Sequence, residues 1–284
     1  GYEVTMQSLK LTVPFNLDLS VSCGQSFRWR KINGFWYAPV GEAVWKVKQD
    51  GDVLFYDGTT EADLIRYFGL DVPLDDILKD IDRDDLIHSA VSSCRGLRLH
   101  RQPTFECLIS YICATCANIP GIQMRIENLA KTYGRPLEAD GMTFYTFPNP
   151  ADLACEAPEN IRLCKVGYRD KYICGAAAYA AENPNWDERI FAMSYAEAKR
   201  ELTSLSGVGP KVADCVLLFA FEKYEAVPID VWMERIFRTR YLCSEKKLSY
   251  EKAAGYAREH FGKYAGYAQE YLFAEREFIA KKGE

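Results

Sequence analysis

Two residues of this 284-residue chain stand where the backbone around them can change their chemistry. Lys211 belongs to the stretch Leu205-Ser206-Gly207-Val208-Gly209-Pro210-Lys211-Val212-Ala213-Asp214-Cys215, in the first turn of a helix that Pro210 begins. The positive end of a helix dipole disfavours the charged form of a lysine. Only the neutral amine is a nucleophile, and an ordinary lysine of pKa about 10.4 spends roughly 4.6 kcal/mol to be neutral at pH 7. A dipole, burial and a nearby cation together can remove much of that cost. Asp230 ends Val227-Pro228-Ile229-Asp230 and precedes the apolar run Val231–Phe237, so it reads as an N-cap whose carboxylate is held by backbone N–H groups. Taken singly, Lys211 is equally well a solvated lysine at a helix start, and Asp230 a plain cap. Taken together, a neutralisable amine and a fixed carboxylate, each at a helix start, can share one cleft.

The elements that must present them are also legible. Ser194 and Glu197 form a capping box that opens a helix running to Leu205. Gly207 and Gly209 make a tight hairpin, and Pro210 restarts a helix where its missing N–H costs nothing. This helix-hairpin-helix spans about residues 195–222. Gly207, Val208 and Gly209 leave backbone N–H groups at a helix start, a seat for one phosphate.

The hairpin, the lysine at its exit and the aspartate about twenty residues on resemble the helix-hairpin-helix, Gly/Pro-Asp superfamily of DNA base-excision glycosylases. Within it, the chain is similar along nearly its whole length to the 8-oxoguanine DNA glycosylases of the eukaryotic type. Cys23-Gly24-Gln25-Ser26-Phe27-Arg28-Trp29 resembles that family's lesion-reading loop. The resemblance implies that the Gly24 carbonyl accepts a hydrogen bond from N7–H of 8-oxoguanine; on normal guanine N7 is an acceptor and the pairing fails. Gly167-Tyr168-Arg169 resembles an intercalating tyrosine followed by an arginine that contacts the orphaned base. Gly266-Tyr267-Ala268-Gln269-Glu270-Tyr271-Leu272-Phe273 resembles the segment carrying a base-edge glutamine, Gln269, and a stacking phenylalanine, Phe273, four residues apart and hence on one helix face. Cys215, one turn after Lys211, is implied as the other wall of the base sandwich.

Four positions depart from the family. Where it carries an asparagine triplet and then an arginine, this chain has Cys116-Ala117-Asn118 and Gly121, so only Asn118 keeps an amide. Trp232 replaces a histidine that contacts phosphate. These changes predict weaker preference for cytosine opposite the lesion. Cys113 and Cys116 form a CxxC without a second pair or a neighbouring histidine, and only Cys243 follows the hairpin where an iron–sulfur cluster would need four cysteines, so no metal or other cofactor is expected.

The remainder of the chain fits this reading. Its net charge of −5 argues mildly against a protein that coats DNA, but binding depends on where charge sits. Arg95, Arg98, His100 and Arg101 cluster, as do Lys165, Arg169 and Lys171, and a modest number of phosphate contacts is expected. Ten scattered cysteines read as reduced core thiols, and neither a signal peptide pattern nor an apolar run of membrane-spanning length is present. Residues 10–57 alternate as antiparallel strands with turns at Asn33-Gly34 and Asp50-Gly51, and the period becomes helical from Thr60. Residues 134–150 read as loop-rich. The expected fold is α+β, with an N-terminal twisted antiparallel sheet domain over 1–100 and a mostly α-helical glycosylase region over 101–284.

The resemblance implies a bifunctional glycosylase and β-lyase that everts and excises 8-oxoguanine from duplex DNA, as a monomer, in the nucleoid of a prokaryote or in a eukaryotic nucleus. A relative acting on other oxidised or alkylated bases, and a helix-hairpin-helix module that only binds DNA, are the competing readings. The second has no need of Lys211 with Asp230.

Overall fold

The computed structural model describes residues 6–282. A five-stranded antiparallel sheet comes first: β1 (Gln7–Lys10), β2 (Arg30–Ile32), β3 (Phe35–Val40), β4 (Ala43–Asp50) and β5 (Val53–Asp57), in the order β1-β5-β4-β3-β2. The turns at Asn33-Gly34 and Gly51 join neighbouring strands, so Ile32 pairs with Phe35 and Asp50 with Val53. One face of the sheet is covered by α1 (Leu17–Ser22) and α2 (Glu61–Tyr67). Trp29, Trp45, Val47, Leu54, Leu64 and Phe68 fill the space between them. Alternating side chains on a strand point to opposite faces, so only every second residue joins this core.

The alternation expected over residues 10–57 does not make a strand of all of Phe27–Lys31. Only Arg30–Ile32 pairs, while Phe27, Arg28 and Trp29 are all buried. Arg28 lies between Glu106 and Glu127, at 3.1 and 2.9 Å, a tie between sheet and helices that bends this segment out of the ladder.

A second core takes in Cys23 and Phe27 and then the helices from Leu74 on. It gathers α3 (Leu74–Ile81), α4 (Asp85–Ser93), α5 (Thr104–Cys113) and α6 (Ile119–Tyr133). The acidic run from Asp71 to Asp85 supplies the solvated side of α3, whose Leu74, Ile77, Leu78 and Ile81 face inward. Residues 136–145 are a hairpin rather than loop: β6 (Pro136–Ala139) pairs with β7 (Met142–Tyr145). Asp140 and Gly141 supply its two left-handed turn residues, a signal the Asp-Gly pair carries. Asp140 also holds this hairpin to the sheet through Tyr37 and Lys46.

Short helices α7 (Pro150–Ala154) and α8 (Pro158–Arg162) lead into α9 (Asp170–Glu182), α10 (Trp186–Ala192) and α11 (Tyr195–Thr203). The last stops two residues before Leu205, where Ser204 begins the turn. The chain closes with α12 (Pro210–Ala220), α13 (Val231–Ile236) with a π-helical turn to Tyr241, α14 (Tyr250–Phe261), α15 (Ala265–Ala274) and α16 (Arg276–Lys282). Residues Ala265 to Leu272 are buried on every face of α15, the mark of a central helix. At Gly266 a Cβ would stand 2.5 Å from both the Ala226 carbonyl oxygen and Leu218, so only glycine lets α15 approach α12 this closely. Among the described residues no helix is long and apolar enough to cross a membrane.

Candidate active site

Lys211 and Asp230 come together. Both line one cavity of about 170 Å³, with Gly24, Cys215, Gln269 and Phe273. Its remaining walls are largely apolar: Phe27, Tyr111, Ile122, Phe219 and Pro228. The sheet side contributes the Gly24 loop, α12 contributes Lys211 and Cys215, the start of α13 contributes Asp230, and α15 contributes Gln269 and Phe273.

Asp230 is the N-cap of α13. Its Oδ1 accepts the Met233 N–H at 2.8 Å, and the residue is half-buried. The other carboxylate oxygen makes no hydrogen bond among the described residues. Lys211, second residue of α12, is exposed, and no described side chain pairs with its Nζ. Burial therefore does not surround this amine in the free protein, contrary to one of the three influences expected from sequence. Cys215, one turn on, is 5% exposed, and burial pushes its thiol well up while Lys211 pulls it back. It is a neutral apolar wall.

Gly24 meets the edge of Phe273, to which a Cβ at Gly24 would stand 3.4 Å. The Arg276 guanidinium lies 4.1 Å from the Phe273 ring centroid. Tyr111 holds the Gly24 loop: its hydroxyl donates to the Gln25 carbonyl at 2.8 Å. Gln25 is itself buried, donating to the Ser20 and Arg98 carbonyls at 2.9 and 2.8 Å. Gln269 is 4% exposed, and its Oε1 has no partner among the described residues.

The hairpin before α12 is held from below. A Cβ at Gly207 would lie 2.2 Å from the Tyr172 ring, and the residue has φ +80°, so glycine is required twice over. Above Gly209 the space is open. The N–H groups of Gly207 and Gly209 meet no acceptor among the described residues. That of Val208 donates to the Leu205 carbonyl at 3.1 Å and its side chain is buried, so Val208 is a turn residue and not a free donor.

Other expected DNA contacts fall differently. Tyr168 is 53% exposed, as a wedge must be. Arg169 is 4% exposed: its guanidinium lies 4.5 Å from the Tyr168 ring centroid and donates to the Thr115 hydroxyl, the Thr115 carbonyl and the Val166 carbonyl. It braces the Tyr168 ring against the loop after α5. Asn118 caps α6, its Oδ1 accepting from Gly121 N–H at 2.9 Å, and Cys116 beside it is exposed with φ +50°. The Arg95–Arg101 cluster is structural. Arg98 is buried against the carbonyls of Pro14, Gly69 and Val72, His100 is buried, Arg101 pairs with Asp71 and Glu222, and Arg95 with Asp75.

Two groups escaped the sequence reading. Glu270 lines the cavity and is buried; a charged residue inside an otherwise apolar helix was the available signal. Tyr250 is the other. Its hydroxyl lies 2.6 Å from Asp214, 3.2 Å from the Val227 carbonyl and 3.5 Å from that of Pro210, bridging the two segments that carry Lys211 and Asp230. Nothing in its local sequence marks it.

Known proteins align with this architecture. The family model described as 8-oxoguanine DNA glycosylase, N-terminal domain, matches residues 8–108. A probable N-glycosylase/DNA lyase of Methanothermobacter thermautotrophicus is 32% identical over 91% of this chain and 92% of its own. The N-glycosylase/DNA lyase OGG1 of Arabidopsis thaliana is 30% identical over 93% and 78%. The crystal structure of the Clostridium acetobutylicum 8-oxoguanine glycosylase/lyase, bound to double-stranded DNA with cytosine opposite 8-oxoguanine, superposes with a TM-score of 0.89 at 31% identity, covering 96% of this chain and 98% of that one.

Proposed function

The chain belongs to the 8-oxoguanine DNA glycosylase/lyase family, and from that premise we propose that Lys211 and Asp230 excise the base through a lysine imine. The protein is an N-glycosylase and DNA lyase acting on 8-oxoguanine in duplex DNA. The observation that supports the assignment of roles is one cavity lined by an amine and a carboxylate from two helix starts, with the Gly24 loop and Phe273 opposite.

The steps follow from those groups. The Asp230 carboxylate stabilises positive charge as the sugar C1′–N9 bond breaks and the electron pair leaves with the base. Neutral Lys211 Nζ forms a bond to C1′ and gives up a proton that the departing base takes; the C1′–O4′ bond then breaks, O4′ is protonated from water, and the opened sugar is held as an imine. Loss of the C2′ proton then drives the C3′–O bond electrons onto the departing 3′ phosphate. Gly24 reads N7–H, Gln269 the base edge, and Phe273 and Cys215 sandwich the ring. Tyr168 fills the vacated stack, because everting a base costs a few kcal/mol. Gly207 and Gly209 hold a phosphate through their N–H groups. The protein works where genomic DNA lies, in a nucleoid or a nucleus.

Borohydride trapping tests the imine. The wild type should give a covalent adduct with lesion DNA and Lys211→Gln none. A wild type that forms no adduct while nicking, or a Lys211→Gln protein that still forms one, sinks the mechanism.

A further inference from the structure

The base cavity contains a second carboxyl. Glu270 follows Gln269 on α15, lines the cavity and is 2% exposed. Its Oε1 meets no hydrogen-bond partner among the described residues, and neither does Oε1 of Gln269. One oxygen of each of two adjacent buried side chains thus lacks a donor, while the Cys23 thiol serves the Glu270 carboxyl. An ionised carboxylate offers acceptors only, and burying it unpaired is unfavourable. Its neighbours on α15, Tyr271 and Leu272, show what fills such a position when packing alone matters. Unsatisfied buried acceptors on a cavity wall call for a ligand that brings N–H groups.

We propose that Glu270 is a specificity-determining residue of the base site, its free carboxylate oxygen accepting, beside Gln269, the N1–H and exocyclic N2–H donors of an everted 2-amino-6-oxopurine. This rests on the glycosylase reading above. With Gly24 taking N7–H, the donors still to be satisfied on 8-oxoguanine are N1–H and the N2 amino group. They point the same way, as the two N–H groups of a guanidinium fork do, and a carboxylate suits such a pair. Adenine presents an acceptor at N1 and meets the same wall unpaired. Hypoxanthine keeps N1–H but lacks the amino group.

The surroundings decide the charge. Burial pushes the Glu270 carboxyl up to about 7, the Cys23 thiol and the Arg276 guanidinium pull it back, and the Asp230 carboxylate raises it further. Tyr111 and Cys215 face it as neutral groups, and Lys211 shares the cavity. Recognition by Glu270 is strongest above neutrality, where the carboxylate is ionised.

The test is single-turnover excision, opposite cytosine, of 8-oxoguanine and of 8-oxohypoxanthine, which differs only in lacking the 2-amino group. Wild type should remove 8-oxoguanine at least about tenfold faster, and by a wider ratio at pH 8.5 than at pH 5.5. Chemistry common to both substrates cancels in that ratio. Glu270→Leu should bring the two rates within about threefold. Glu270→Gln, nearly isosteric and the safer variant for folding, should keep part of the ratio and lose its pH dependence. An identical ratio in wild type and Glu270→Gln at both pH values, or an undiminished ratio in folded Glu270→Leu, overturns the proposal. The wild-type rate on 8-oxoguanine tests the glycosylase reading separately, since Glu270 is decided by the ratio alone.

Discussion

In the proposed mechanism Asp230 serves the fold and the reaction with different properties, and these can be separated. As a cap it needs only an acceptor for the Met233 N–H; as a catalytic group it needs a charge. Asparagine caps a helix as well as aspartate does, so Asp230→Asn should leave the melting temperature within a few degrees while excision falls about 100-fold or more. Thermal unfolding and single-turnover excision on one preparation check this, and a large loss of stability would show that the charge itself holds α13. Tyr168 makes the converse case. Exposed and braced by Arg169, it contributes little to folding. Tyr168→Ala should slow excision from paired duplex by about 10- to 100-fold, less when the opposite nucleotide is abasic and the base already half-free.

Elements carry the geometry between these residues. Tyr195, Tyr250 and Lys199 converge on Asp214, at 2.5, 2.6 and 3.2 Å. Burial raises the Asp214 carboxyl, and hydrogen bonds from the two hydroxyls pull it back. Since Asp214 is one turn from Lys211 and Tyr250 reaches the Val227 carbonyl, the cluster sets the separation of α12 from the strand-like approach to Asp230. Removing the hydroxyl in Tyr250→Phe leaves a buried carboxylate oxygen short of a donor, at a cost of about 1–3 kcal/mol. Its rate on lesion DNA should fall while DNA affinity changes little; affinity and rate falling together would mean the hairpin itself has moved. Gly207→Ala is the reverse: φ +80° and the Tyr172 ring forbid the methyl group, so the hairpin shifts and DNA binding is lost with the rate.

At the scale of the whole molecule, two buried groups give stability opposite pH dependences. His100, packed on the Tyr67 and Phe68 rings, is pushed down to about 3 by burial. Below its unfolded value near 6.5 the unfolded chain takes up the proton first, so stability falls as pH drops from about 6.5 to 3, by up to about 5 kcal/mol. Glu270 has the opposite sign. Its carboxyl is raised, so the folded chain holds the extra proton and stability falls as pH rises from about 4.5 to 7, by up to about 3 kcal/mol. Denaturant midpoints from pH 4 to 8 should therefore show His100→Gln flattening the acid limb. Glu270→Gln should gain on wild type as pH rises, and a constant difference between them would mean that the Glu270 carboxyl is not raised in the folded protein.

The sequence by itself determined what is settled within one turn of backbone: the Ser194 capping box, the glycine hairpin, the Asp230 cap and the first-turn place of Lys211. Each depends on neighbours three or four residues away, and so their types and spacing reveal them. The sheet followed from period-two alternation and Asn-Gly or Asp-Gly turns, although the hairpin at 136–145 was hidden by strands of only four residues. Only the tertiary structure decided which charges are free. Arg98, Arg101 and Arg169 look alike in sequence to surface cations, yet each is consumed by carbonyls or carboxylates between 3 and 121 residues away. Glu270, by contrast, is set without a full complement of partners in the cavity that Lys211 and Asp230 line. Desolvation and pairing are sums over atoms brought near by folding, and no local pattern contains them.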